Sequence, residues 1–158
     1  MTPLVALRSS LARWRTFAGR SRRSEFWWSV LAALWVVVAA LGLDQLLFGG
    51  GTTRIDWSPR FPVTGLALLA LACPLMALGW RRMQDTGRPG WLALMPLAVG
   101  VPVNAALLSG WVQTGRGVAY MMLTVIELAV LAVTILLLAR PSAPGANRYG
   151  PNPKEVGV

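Results

Sequence analysis

Four apolar stretches, each about as long as a bilayer is thick, constrain this chain more than any other feature. They cover residues 26–48, 61–80, 91–109 and 118–139. A helix rises about 1.5 Å per residue, so about 20 apolar residues cross a hydrocarbon core of about 30 Å. Backbone groups in lipid must find their hydrogen bonds within the segment, which excludes irregular structure there. The sequence therefore predicts an all-α, polytopic membrane protein with four transmembrane helices in two hairpins.

The composition supports this class. Of 158 residues, 55% are hydrophobic, and the mean hydropathy is +0.55, which is too apolar for an ordinary soluble domain of this length. A secretory signal peptide is the alternative interpretation of the first stretch, because Ala40-Leu41-Gly42 resembles a cleavage site. The stretch is long and rich in Trp, however, and 25 residues precede it, which favours a retained helix.

The positive charges predict the orientation. Twelve of the 15 Lys and Arg residues lie before the first stretch, between the second and third, or after the fourth. Only three lie in the other two loops, 49–60 and 110–117. The positive-inside rule then places both termini in the cytoplasm. The net charge of +9 is explained by this arrangement, so we expect no nucleic-acid partner.

Two segments flank the transmembrane domain 26–139. In residues 1–25, apolar residues recur at helical spacing among arginines: Leu4, Leu7, Leu11, Trp14 and Ala18. This pattern predicts an amphipathic helix that lies on anionic lipid, and the alternative is a frayed terminus with accidental periodicity. Residues 140–158 contain too much Pro and Gly for a helix, and they predict an extended cytoplasmic tail.

Two clusters of arginines, acids and turn residues precede the first and third stretches. They consist of Arg20, Arg22, Arg23 and Glu25, and of Arg81, Arg82, Asp85, Gly87, Arg88, Gly90 and Trp91. The positive-inside rule explains the arginines but not the acids. We expect Asp85 to accept charge-assisted hydrogen bonds from Arg22 or Arg23 and from the start of the third helix, whereas Glu25 engages Arg81 or Arg82. The alternative is solvated surface charge that contributes little to stability.

A polar pair is predicted inside the membrane. Glu127 lies about ten residues into the fourth stretch, where a carboxylate costs about 2.5 to 3.5 kcal/mol to insert. Asn104, in the third stretch, has nearly the same depth and is the expected partner. Such a pair is either a polar binding or proton site, or an interhelical hydrogen bond that stabilises packing.

The residue types leave little room for catalysis. The chain has no histidine, and its single cysteine, Cys73, lies inside an apolar stretch. The six acidic residues are dispersed over termini, loops and opposite membrane faces, and Asp44 is interpreted as a surface acid near Arg54 or Arg60. We therefore expect no enzyme, and no catalytic, cofactor-binding or metal-binding residues.

Three motifs support a resemblance to a known family. They are Phe17-x-Gly19-Arg20-x-x-Arg23-x-Glu25-Phe26-Trp27, Arg81-Arg82-x-x-Asp85-x-Gly87-x-x-Gly90-Trp91 and Asn147-Arg148-Tyr149-Gly150-Pro151-x-Pro153. In order and spacing the chain resembles the bacterial membrane family called domain of unknown function 805. The resemblance implies a small polytopic protein of the bacterial cytoplasmic (inner) membrane and no particular activity. The family typically has histidine immediately before the motif aspartate, where this chain has Gln84.

Two functions remain as expectations. The first is a non-enzymatic protein that binds anionic phospholipid or another membrane protein through an arginine-rich cytoplasmic face. The second is a homo-oligomeric transporter or channel-like protein for a small solute or ion, which would use Asn104 and Glu127. Neither requires a cofactor, and the expected partners are anionic phospholipid, a second copy of the chain or another membrane protein.

Overall fold

The computed structural model describes residues 3–48, 62–108, 117–153 and 155, and within this part the chain is helical and contains no β-strand. Its α-helices are α1 Pro3–Ala12, α2 Arg23–Phe48, α3 Pro62–Asp85, α4 Met95–Leu108 and α5 Gly117–Ala139, and a 3₁₀ helix, Gly90–Leu94, precedes α4. The predicted loop 49–60, most of the loop 110–117, and the predicted span ends at Phe61 and Ser109 lie outside the described residues.

Among the described helices, α2, α3 and α5 are long and apolar enough to cross a membrane. They contain 26, 24 and 23 residues. Large apolar side chains on them are left uncovered by protein, since Trp35 is 67% exposed, Leu69 75% and Leu136 67%. Apolar surface this extensive is characteristic of contact with a membrane, which confirms the predicted class at this level.

The third predicted stretch is not a single regular helix. It begins with the 3₁₀ helix, and the α-helical part has only 14 residues. The prolines of this stretch account for the irregularity. Pro96 is tolerated in the first turn of α4, where its missing N–H is not needed, and Pro102 removes one hydrogen bond inside the helix. As described, α4 is a shorter apolar helix than a full span of about 20 residues.

The end of α3 corrects the predicted end of the second stretch. The sequence prediction stopped the helix at Trp80 because charged residues follow, but α3 continues to Asp85. Nothing between these residues breaks a helix, and charge alone does not end one. Arg81, Arg82 and Asp85 therefore lie in the last turns of α3 instead of in a loop.

A glycine cap ends α3. Gly87 has a φ of +81°, its N–H donates to Gln84 O at 3.0 Å, and the N–H of Arg88 donates to Met83 O at 3.3 Å. These two bonds form a Schellman motif, which needs a left-handed residue and so favours glycine. The cap fixes where the chain leaves α3 and thereby the position of Asp85.

The chain divides into two compact units. The first comprises Met1–Thr16 and Ser24–Leu78, and the second comprises Phe17–Arg23 and Gly79–Val158. The first unit contains α1, nearly all of α2 and most of α3. The second contains the end of α3, the 3₁₀ helix, α4, α5 and the tail.

In the first unit, polar contacts join α1 to the start of α2. Ser10 Oγ lies 2.7 Å from Ser29 Oγ, and this bond is buried. Glu25, also buried, accepts from Ser9 Oγ at 2.9 Å and from Arg13 Nη2 at 2.8 Å. α1 itself ends at Ala12, before two of the residues in the predicted amphipathic pattern, Trp14 and Ala18. The side chains of Leu4 and Leu7 lie outside what the structure describes.

Asp44 is a second polar link in this unit, and it corrects a prediction. The sequence suggested a surface acid, but Asp44 is only 1% exposed. Its carboxylate accepts from the N–H groups of Val63 at 3.0 Å and Thr64 at 2.8 Å, the first residues of α3. The N–H groups of a first helical turn have no partner inside the helix, so an acid from α2 satisfies them and complements the helix dipole.

Candidate functional site

A buried carboxylate between two arginines forms the centre of the second unit. The side chains of Asp85 and Arg82 are 0% exposed, and that of Arg20 is 1% exposed. Asp85 Oδ1 accepts from Arg20 Nε at 2.9 Å, and Asp85 Oδ2 accepts from Arg82 Nη1. Arg82 and Asp85 are three residues apart on α3, which places them on the same helical face. We call Arg20, Arg82 and Asp85 the buried triad.

Arg82 also caps the end of α5. Its Nε donates to Leu138 O at 2.9 Å, and its Nη2 donates to Arg140 O. The last carbonyl groups of a helix lack partners inside the helix, and they carry the negative end of its dipole. A guanidinium therefore both satisfies these oxygens and is stabilised by them. Through Arg82, the end of α3 is fastened to the end of α5.

Arg20 holds the segment that follows α5. Its Nη2 donates to Ala143 O at 2.6 Å, and its Nη1 donates to Gly145 O at 2.7 Å and contacts Gly150 O at 3.4 Å. The N–H of Ala143 in turn donates to the backbone oxygen of Asp85 at 2.9 Å. One guanidinium thus satisfies several carbonyls of a segment that has no ladder or helix of its own. Residues 141–153 are accordingly called the C-terminal strap.

The strap contains a tight turn. Asn147 and Gly150 exchange backbone hydrogen bonds, both at 3.0 Å, and the side-chain oxygen of Asn147 accepts from the N–H of Tyr149 at 2.9 Å. Gly150 has a φ of +130°, which a residue with a side chain rarely adopts. The Asn147 amide also donates to Gln84 O at 3.0 Å, so the turn is attached to α3.

Arg22 and Glu155 fasten the far end of the strap. Arg22 Nε donates to Pro153 O at 2.7 Å, and its Nη2 contacts the same oxygen. Glu155 Oε1 accepts from Asn152 Nδ2 at 2.7 Å and from the N–H of Gly145 at 3.2 Å. The predicted extended tail is therefore an ordered, irregular segment over residues 141–153, bound mainly through its backbone.

Gln84 connects α3 to the segment before α2. With its amide assigned from its neighbours, the nitrogen donates to Phe17 O at 3.0 Å and Gly19 O at 2.7 Å, and the oxygen accepts from Trp80 Nε1 at 3.0 Å. The rings of Phe17 and Trp80 also meet edge to face, with centroids 5.7 Å apart. A glutamine performs this role without titrating, where the family resemblance leads one to expect a histidine.

The buried triad corrects the predicted pairing of Asp85. Its partners are Arg20 and Arg82, where the sequence analysis expected Arg22 or Arg23. Arg22 instead binds the strap, and Arg23 is the exposed first residue of α2. The physical reason is that the backbone between Arg20 and α2 is not helical, so sequence spacing does not tell which arginine faces Asp85. The pairing of Glu25 with Arg81 or Arg82 stays a prediction.

Gly87, Arg88 and Gly90 of the second cluster lie in the turn that follows α3. Gly87 and Arg88 form the cap described above. Gly90 is buried against Trp80, and a Cβ atom added there would overlap the indole ring. Trp91 is half exposed, and Arg81 is buried. This turn therefore requires glycine at two positions for two different reasons.

The structure brings Asn104 and Glu127 together. Asn104 Nδ2 donates to Glu127 Oε1 at 3.3 Å and to Gly100 O at 2.8 Å. Gly100 is buried, and a Cβ atom there would lie 2.6 Å from Glu127 Oε1. The missing side chain of Gly100 makes room for the carboxyl group. A functional role for this pair stays a prediction.

Neither the buried triad nor the Asn104–Glu127 pair has the arrangement of a catalytic or metal centre. Among the described residues, no group of three or more His, Cys, Asp or Glu side chains could hold a metal ion. Both oxygens of Asp85 are occupied by arginine, which leaves this buried carboxylate poorly placed to accept a substrate proton. The buried triad therefore links segments of the second unit to one another through hydrogen bonds.

Comparison with known proteins agrees with this architecture. Residues 14–151 match the family described as "Protein of unknown function (DUF805)". The chain belongs to this family. The resemblance predicted from the three motifs is thereby confirmed, and the DUF805 match spans both units and the strap as far as Pro151.

Two curated relatives from Escherichia coli (strain K12) are similar to this DUF805 protein over most of its length. Inner membrane protein YhaI is 27% identical over 146 residues, which is 92% of each chain. Inner membrane protein YhaH is 26% identical over 142 residues, which is 87% of each chain. No solved structure is significantly similar. These relatives and the apolar helices fit a protein of the bacterial inner membrane, and nothing in the matches indicates an enzymatic role.

Sequence reasoning missed the role of the strap and of α1. Arg20 was included in the first cluster, but its carbonyl partners in residues 143–150 were not foreseen. The motif around Asn147 was the available signal, because Asn and Gly at that spacing favour a tight turn. Arg13, which binds Glu25 across 12 residues of sequence, gave no comparable signal.

Proposed function

We propose that this DUF805 protein is a non-enzymatic, four-span protein of the inner membrane, with both termini in the cytoplasm, whose arginine-rich cytoplasmic face binds anionic phospholipid. The contacts inside each unit support two antiparallel hairpins. Asp44 near the end of α2 meets the start of α3, and Asn104 near the end of α4 meets Glu127. The 3₁₀ helix and α4 together would extend about 30 Å if they were collinear, which suits a fourth span.

The topology has a direct test. In a Cys73→Ser background, we expect cysteines introduced at Thr52 and Thr114, which lie outside the described residues, to react with an impermeant thiol reagent added to intact cells. Labels fused to either terminus should react only after the membrane is opened. Labelling of one loop but not the other from outside would contradict the four-span arrangement.

One observation carries the lipid proposal: the N-terminal segment exposes arginines beside apolar side chains. Arg8 and Arg15 are exposed, and so are Leu11 at 48% and Trp14 at 38%. The guanidinium carbon of Arg15 lies 4.1 Å from the centroid of the Trp14 ring. No acid occurs before Glu25 to neutralise these charges. Apolar side chains that enter the interface while neighbouring arginines meet phosphate are typical of helices that lie on anionic bilayers.

A groove in the second unit supports the same ligand class. It has a volume of about 320 Å³ and is lined by Leu92, Met95, Ala129, Val130, Val133, Thr134 and Leu137. The hydroxyl of Thr134 donates to Val130 O within its own helix, so the groove offers a ligand no free polar group from that side chain. Arg140, exposed, follows Leu137 by three residues. An acyl chain with an anionic headgroup matches this combination of apolar surface and adjacent charge.

Lipid binding is tested by adding phosphatidylglycerol or phosphatidylcholine to the purified protein in mild detergent. We expect only phosphatidylglycerol to raise the thermal unfolding midpoint, and added salt should weaken its effect. Each interfacial arginine contributes about 1 kcal/mol, so the double variant Arg8→Gln and Arg15→Gln should weaken binding on the order of thirtyfold.

The matched control is the double variant Arg54→Gln and Arg60→Gln, which removes the same charge from the predicted outer loop. It should bind phosphatidylglycerol as the unmodified protein does. Equal stabilisation by both lipids, or equal losses in both double variants, would contradict the proposal.

A homo-oligomeric transporter or channel-like function is the second candidate, favoured by the Asn104–Glu127 pair. Proteoliposomes separate the two. A lipid-binding protein leaves an imposed proton or potassium gradient intact, whereas a transporter dissipates or couples it in a manner that Glu127→Leu abolishes.

A further inference from the structure

The polar pair Asn104 and Glu127, on α4 and α5, does not use all of its hydrogen-bonding atoms. Both N–H groups of the Asn104 amide are used, one by Gly100 O and one by Glu127 Oε1. Within the part of the chain that the structure describes, Asn104 Oδ1 and Glu127 Oε2 form no hydrogen bond. Glu127 is the eleventh of the 23 residues of α5, so this unused capacity lies near the middle of a membrane-spanning helix.

The pair lies on an outer face. Asn104 is exposed and Glu127 is half-buried. Leu97 and Val101, two turns and one turn before Asn104 on the same side of α4, are 51% and 65% exposed. Lipid chains can cover the leucine and the valine, but they supply no hydrogen bond to an amide oxygen or a carboxyl group. Polar groups without hydrogen bonds are strongly disfavoured in hydrocarbon.

We propose that two copies of this chain associate through this face of α4 and α5, each completing the hydrogen bonds of the other. This contact requires the Glu127 carboxyl group in its protonated form. A neutral Glu127 has one O–H donor at Oε2, and Asn104 has one unused acceptor at Oδ1. Around a two-fold axis, the Glu127 hydroxyl of each copy donates to the Asn104 oxygen of the other.

The unused hydrogen-bonding groups indicate which molecule covers this face of α4 and α5, namely a second copy of the chain. With Glu127 protonated, the site has one unused donor beside one unused acceptor, so two copies of this surface can pair with each other, as a closed two-fold interface requires. A different membrane protein would have to supply both groups independently at the same depth. The proposal does not depend on lipid binding.

Cysteine crosslinking in membranes tests whether two copies associate through this face of α4 and α5. In a Cys73→Ser background, Val101→Cys should form a disulfide-linked dimer on mild oxidation. The matched control is Leu69→Cys in the first half of α3, where Leu69 is 75% exposed and Val101 is 65% exposed; it should give at least fivefold less dimer. Equal crosslinking at the two positions, or a crosslink from Val101→Cys only to a different protein, would overturn the proposal.

Three variants of the pair test the hydrogen bonds. Glu127→Leu and Asn104→Leu should each raise the dimer dissociation constant in mild detergent about tenfold, the scale expected for losing such contacts in a membrane protein. Glu127→Gln should stay within about twofold of the unmodified protein, because its amide keeps one acceptor for Asn104 and one donor for the partner. The proposal fails if Glu127→Leu dimerises like the unmodified protein, or if Glu127→Gln is as weak as Glu127→Leu.

Discussion

Replacing Asp85 with asparagine is expected to lower the free energy of unfolding by about 3 to 5 kcal/mol. Asparagine keeps the shape of the side chain but removes the single negative charge between two buried guanidinium groups. Taking one partner from a buried ion pair leaves the others uncompensated in a medium of low polarity, which costs far more than losing an exposed ion pair. The effect should appear in unfolding by sodium dodecyl sulfate in mixed micelles, monitored by tryptophan fluorescence.

The control for this variant is Asp56→Asn, the same chemical change in the predicted outer loop, outside the described residues. Its effect should stay under about 1 kcal/mol. A second check uses the arginines: Asp85→Asn combined with Arg20→Gln should be less destabilised than the sum of the single variants, because they share one network. Small and equal effects of Asp85→Asn and Asp56→Asn would show that the triad contributes no more than surface charge.

Changing Arg20 to lysine is expected to release the C-terminal strap. Lysine keeps the charge, but its compact ammonium cannot reach Asp85, Ala143 and Gly145 together as the guanidinium fork does. Losing two charge-assisted bonds costs about 3 kcal/mol. Trypsin cleavage after the exposed Arg148 should therefore become faster by on the order of a hundredfold, provided that cleavage follows opening of the strap.

Mass spectrometry of the released C-terminal peptide measures this rate. Arg23→Lys is the matched control, because Arg23 is exposed and lies three residues away, and its replacement should leave the rate unchanged. If Arg20→Lys and Arg23→Lys are cleaved at the same rate, the strap is not held by the guanidinium of Arg20.

The helices themselves could be predicted because lipid leaves the backbone almost no alternative. Apolar stretches of about 20 residues must satisfy their own backbone groups, so α2 and α5 begin and end within three residues of the predicted limits. The error at the end of α3 has a local cause. The arginines after Trp80 were interpreted as the start of a loop, but the signal that stops a helix is the left-handed glycine, Gly87.

The partners of Asp85 and Asp44 could not be predicted in the same way. A salt bridge between distant segments depends on backbone directions outside regular helices, and the spacing of residues in the sequence does not determine these. Asp85 was correctly singled out for needing an explanation, yet the arginine that faces it from the other segment is Arg20. Asp44 was assigned to the surface because an acid near a span end usually reaches water, whereas here the first turn of α3 offers it two N–H groups.

The strap was missed for a thermodynamic reason. A segment rich in Pro and Gly buries too little apolar surface to order itself, which is why such sequences predict an extended tail. Here the order comes from outside the segment, from Arg20 and Arg22. No property of residues 141–153 alone reveals that their carbonyls have partners 120 or more residues earlier in the chain, although the turn at Asn147 suggests a defined shape.

The length of chain between Arg20 and the strap has a consequence for biosynthesis. The contacts of Arg20 with Ala143 and Gly145 span 123 and 125 residues, and that of Arg22 with Pro153 spans 131. A ribosome delivers the N-terminal arginines first and the strap last, after every apolar stretch has been released. The second unit can therefore close only after residue 153 has been synthesised. A chain that stalls or is cut before residue 143 leaves Arg20 without the carbonyl groups of Ala143 and Gly145. The second unit then stays unfolded at this point and is exposed to quality-control proteases.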